Sequence, residues 1–88
     1  MPSRSRGLRA GSVILPPGGV VDWHSTRRRE ELLIALSGTV RVETDRPPRG
    51  RGISLRQGHV LLLPSGTWHR VLNRSGKRAR YLYVTGAA

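Results

Sequence analysis

Three histidines and two adjacent glutamates are the residues of this chain that could do chemistry. His24 sits in "DWHST" after a Pro-Gly turn, Glu31 opens the apolar run "ELLIAL", and His69 stands just past "PSGTW". Each lies beside a turn and an apolar run, the placement expected of groups projecting into the mouth of a small barrel. Two imidazoles and one carboxylate with open positions make a facial triad, a donor set suited to Fe, Mn, Ni, Co or Zn. There is no cysteine, so any metal must be held by nitrogen and oxygen. The competing reading is plain packing. A histidine beside a tryptophan, as in "DWHS" and "TWHR", is more often a core residue than a ligand. Without metal, His24, Glu31 and His69 would form a polar network with one histidine protonated.

Strands are the elements that must position these groups. The apolar stretches "SVILP", "VVDWH", "ELLIAL", "GTVRVET", "ISL", "HVLLLP", "WHRVLN" and "RYLYVTG" are short and separated by turn signals such as "PPGG", "SG", "QG" and "PSG". About eight strands at this spacing predict an all-β sandwich or barrel. Strand parity puts Glu31 on the face of Leu33 and Ala35, and His69 on the face of Val71. Glu30, of opposite parity, is expected in solvent, as is His59 beside its turn. Trp23 and Trp68, each next to a candidate ligand, are expected on the outer layer. "EELLIALSG" and "VLLLP" are apolar on both faces, so each needs cover on two sides. One cover is the barrel interior; the other is expected to be a second sheet or a second copy, making a homodimer through sheet faces.

Eighty-eight residues make one small domain with a thin core margin. The expected division is a flexible basic N-terminus over residues 1–8 and a single domain over 9–88, with the loop "TDRPPRGRG" solvated. No apolar run is long enough for a signal peptide or a membrane span, so the expectation is a cytoplasmic protein without membrane contact. The net charge of +11 comes from sixteen basic residues, all Arg except Lys77. Such a field favours anionic partners and would steer a small anionic molecule inward. Clusters such as "NRSGKRAR" could also meet nucleic acid, but the aromatic platform for single strands is thin, and that function is disfavoured.

Order and spacing narrow the choice. Gly18, five residues, His24, Ser25, Thr26, four residues, Glu31, six residues and Gly38 form one series. Gly58, five residues, Pro64, Ser65, Gly66, two residues, His69, three residues and Asn73 form another. Together they resemble the two motifs of the cupin family, from about Ser12 to Val84. The departure is Thr26, where the family usually has a second histidine.

The resemblance implies a small jelly-roll β-barrel with His24, Glu31 and His69 holding a divalent transition metal (Fe, Mn, Ni, Co or Zn). Water or substrate would take the fourth position, in contact with Thr26. Metal-dependent cupins include dioxygenases, decarboxylases and sugar isomerases and epimerases, whereas a non-catalytic, metal-free ligand-binding or sensory cupin would carry much the same sequence. The motif glycines fall where strands reverse and positive φ is needed. Asn73 is expected to pin a turn through backbone hydrogen bonds.

Overall fold

The computed structural model describes residues 7–46 and 52–87. The expected basic N-terminus falls mostly on residues 1–6, and the core of the Arg-rich loop on 47–51; both lie outside the described residues. Eight strands form: β1 (Arg9–Leu15), β2 (Val20–Ser25), β3 (Arg29–Ser37), β4 (Thr39–Thr44), β5 (Gly52–Arg56), β6 (Val60–Leu63), β7 (Trp68–Leu72) and β8 (Ala79–Ala87). They match the eight apolar stretches of the sequence. Among the described residues there is no helix, hence none able to cross a membrane.

The strands make two antiparallel four-stranded sheets, ordered β1-β8-β3-β6 and β2-β7-β4-β5. This is the jelly-roll architecture. Inward-facing Leu15, Leu33, Ala35, Val40, Val42, Leu55, Leu63, Val71 and Tyr81 fill the space between the sheets. Alternation is strict on β3, where Glu31, Leu33 and Ala35 are buried while Glu30 and Leu32 are exposed. One residue of slippage would invert that pattern, so burial fixes the register.

The expected conformations of the motif glycines are present: Gly18, Gly38, Gly58 and Gly66 all have φ between 70° and 85°. Gly38 has a second constraint. A β-carbon there would stand 2.8 Å from the Arg78 carbonyl oxygen, so the β3–β4 hairpin closes only over a hydrogen atom.

Asn73 lies just past β7 and is 1% exposed. Its Nδ2 donates to the carbonyls of Leu15 and Lys77, at 3.0 and 2.7 Å. Its Oδ1 accepts from the Ser75 amide and hydroxyl, at 3.0 and 2.7 Å. The Asn73 amide donates to Gly19 and its carbonyl accepts from Gly18. One residue thus joins the end of β1, the start of β2 and the β7–β8 turn, a wider task than holding its own turn.

The outer face of the second sheet carries a charge ladder. Glu43 accepts from Arg41 Nε at 2.8 Å and Arg70 Nε at 2.6 Å, and the Arg70 guanidinium lies 5.2 Å over the Trp23 ring. Hydrogen bonds from Arg41 and then Arg70 hold the Glu43 pKa below its ordinary 4.5, against an opposing push from burial. The stability this contributes is complete above the ordinary value and is lost as pH falls through the lower folded one. Both arginines are about one-third exposed, and solvent screening limits the contribution to about 1 kcal/mol. Glu43→Gln is therefore expected to cost about that much at pH 7 and almost nothing at pH 2–3, read from urea unfolding at each pH.

Candidate metal centre

His24 reaches the interior through a bulge. The β2–β7 register shifts between Val21 and His24, so both residues face inward although three positions apart. A regular strand would send one of them outward. The bulge leaves the Asp22 carbonyl 2.8 Å from His24 Nδ1. On β7, regular alternation buries His69 completely and sets its Nδ1 3.0 Å from the Thr67 carbonyl. A carbonyl only accepts, so Nδ1 carries the proton in both rings. In the neutral tautomer that this sets, Nε2 is the nitrogen that keeps its lone pair for a ligand.

The two rings lie 4.1 Å apart between centroids, tilted by 56°. Glu31 reaches the same point from the opposite sheet, its Oε2 3.1 Å from His69 Nε2. That contact is close but off the direction of a hydrogen bond, and buried Nε2 has no hydrogen-bond partner among the described residues. One ligand atom from each of His24, Glu31 and His69 lies within 4.8 Å of the others. The expected three residues are therefore brought together. A buried lone pair without a donor, a second lone pair and a carboxylate fit a divalent transition metal. Burial pulls the His69 pKa down, but the Glu31 carboxylate and the Thr67 carbonyl outweigh it, leaving the value raised above 6.5.

Thr26, the residue expected to contact water or substrate, has a structural task in the fold. It is buried, and its Oγ1 donates to the Pro64 carbonyl and accepts from the Thr67 amide, both at 3.0 Å. Its own amide donates to the Thr67 carbonyl, the group that orients His69. Thr26 thus clamps the β2–β3 turn to the β6–β7 turn and is not among the residues lining the adjacent cavity. Thr26→Val is expected to cost about 1–3 kcal/mol through two lost buried hydrogen bonds. Metal affinity should stay within threefold, because the backbone bond to Thr67 survives; a tenfold fall would show the hydroxyl reaching the ion.

Trp23 and Trp68 are exposed on the outer face, as their parity requires, and Glu30 and His59 are exposed. The sequence reading missed the cavity of about 240 Å³ beside the cluster, which Val13, Val21, Leu33, Val71, Tyr81 and Tyr83 also line. Its signal in the sequence was the alternation "YLY", which puts Tyr81 and Tyr83 on one face. Among the described residues, no arginine or lysine lines this cavity.

Comparison with known proteins agrees with this architecture. The Schizosaccharomyces pombe Cnp3 cupin domain superposes with a TM-score of 0.84 at 16% identity, over 100% of this chain and 58% of that one. The TT1209 protein from Thermus thermophilus gives 0.83 at 26% identity, over 97% and 77%. A cupin protein from Bacteroides fragilis gives 0.84 at 25%, over 96% and 69%. The chain thus spans a little over half of the first of these and about three-quarters of the second. No curated protein matches it. The family model for the cupin domain matches residues 11–85, and with that match the chain belongs to the cupin family.

Proposed function

We propose that His24, Glu31 and His69 hold a divalent transition metal, and that the centre binds a small anionic molecule. The observation that carries this reading is the pair of imidazoles, each with its Nδ1 on a backbone carbonyl, that offer ligand atoms within 4.8 Å of each other and of a Glu31 carboxylate oxygen. Bound there, the ion would act as a Lewis acid toward a carboxylate, enediol or catecholate. The protein's own part is orientation. Asp22 and Thr67 fix the rings, and apolar side chains line the cavity on the open side. The test is elemental analysis of tag-free protein, before and after incubation with Fe, Mn, Ni, Co and Zn. Near-stoichiometric uptake of one of them is expected. No uptake of any would sink the reading in favour of the Glu31–His69 pair as a metal-free polar network, and turnover of a panel of small carboxylates and enediols separates an enzyme from a binding module.

We also infer a homodimer through the outer face of the first sheet. Cross-strand neighbours Leu62, Leu32 and Val84 form one apolar row there, and Val60, Ile34 and Leu82 the next. Leu32, Val60 and Leu62 are exposed, with Leu62 at 55%. An apolar surface of this extent on so small a domain calls for cover, and a second copy supplies the same rows. Sedimentation at about 50 μM is expected to give a dimer that Leu62→Arg dissociates; a wild-type monomer at that concentration would overturn the inference.

A further inference from the structure

The cavity beside the metal centre has a lining that restricts what it can hold. Val13, Leu33 and the two phenols come from the first sheet, and Val21 and Val71 from the second. Among the described residues, the polar side chains lining it apart from His24, Glu31 and His69 are those of Tyr81 and Tyr83. Tyr81 is 3% exposed and is one of the residues lining the cavity. Burial first, and the Glu31 charge second, push the Tyr81 pKa up to about 12, so it keeps its proton and can donate.

Tyr83 is positioned by an absence. Gly11 faces it across the β1–β8 pair, and a β-carbon at Gly11 would overlap the Tyr83 ring and hydroxyl. The ring therefore rests on the bare Gly11 backbone, which keeps the space in front of it open.

On the basis of the metal reading above, we propose that the ligand is a small aromatic chelator. It has one anionic or enolic group for the metal, a flat apolar body against the valines and Leu33, and a hydrogen-bond acceptor received by Tyr81 and Tyr83. Size agrees. An apolar cavity of about 150 Å³ takes benzene, and about 240 Å³ leaves room for ring substituents. Charge agrees as well. With no arginine or lysine among the described residues of the lining, a compact dianion would lose its hydration with little beside the metal to replace it. The Arg-rich exterior steers anions toward the protein, but the cavity selects against those without an apolar body.

The experiment is calorimetric titration of metal-free and zinc-loaded protein with 4-nitrocatechol, catechol and oxalate, with zinc content measured separately. In loaded protein, 4-nitrocatechol is expected to bind at least tenfold more tightly than oxalate. The double variant Tyr81→Phe/Tyr83→Phe should lose its preference for 4-nitrocatechol over catechol while keeping zinc. Val13→Phe, which fills the cavity, should abolish 4-nitrocatechol binding and leave zinc and oxalate binding in place. Equal or tighter oxalate binding in loaded wild-type protein would overturn the proposal with the metal reading intact. If none of Fe, Mn, Ni, Co and Zn binds, the metal reading fails by itself, and the cavity is still read in metal-free protein. There, millimolar or tighter 4-nitrocatechol binding that Val13→Phe removes supports the aromatic ligand, and no binding overturns it.

Discussion

Replacing His69 with Ala is expected to lower affinity for the transition metal by at least about 100-fold. Losing an outer-sphere partner of a metal ligand typically costs about 10–100-fold, and His69 would be a ligand itself, one of three candidate donors at this centre among the described residues. Its loss leaves one imidazole and a carboxylate, too few to compete with water for the ion. Packing must be separated from ligation, because His69 is fully buried and its removal strips Glu31 of its neighbour. His69→Gln serves that purpose, since it keeps volume and polarity but removes the imidazole. Elemental analysis and zinc titration should show loss in both variants, while thermal unfolding should show His69→Gln folded. Retention of wild-type metal stoichiometry by both would place the ion elsewhere or deny it altogether.

Asn73→Ala should be the most damaging substitution for stability outside the hydrophobic core. It leaves the Leu15 carbonyl without the Nδ2 donor and the Ser75 amide without the Oδ1 acceptor, close to where three chain segments meet. Two such groups at about 1–3 kcal/mol each suggest a loss of about 3–4 kcal/mol. A domain of this length holds about 4–13 kcal/mol in all, so the variant would sit close to unfolding at 37 °C. The melting temperature should fall by roughly 12–25 °C. Asn73→Asp is expected to fare no better, because its carboxylate would face the Leu15 and Lys77 carbonyls that now receive N–H groups. Calorimetric unfolding checks both; a shift below about 5 °C would mean that water replaces the side chain.

Much of the fold was legible because period-two alternation and turn chemistry are local. Each apolar stretch between Gly, Pro, Asn or Ser signals became a strand, and each motif glycine took the positive φ its turn demands. Parity alone placed Glu31 with Leu33, and His69 with Val71, on the buried side. The three candidate ligands were legible for the same reason, since their spacing follows strand geometry and matches a known pair of motifs.

Other features depend on which strands pair, and pairing joins residues distant in the chain. The β2 bulge that turns His24 inward exists only against β7. Thr26 became a clamp because the Pro64–Thr67 turn folds back onto it from 38 to 41 residues away. The Gly11 seat under Tyr83 requires β1 and β8, opposite ends of the described chain, to lie side by side. The sequence by itself determined the strands, their buried faces and the identity of the donors. Only the tertiary structure decided that the donors share one point and that an apolar, phenol-lined cavity adjoins them, because a cavity is the space left between two sheets and belongs to no single stretch of chain.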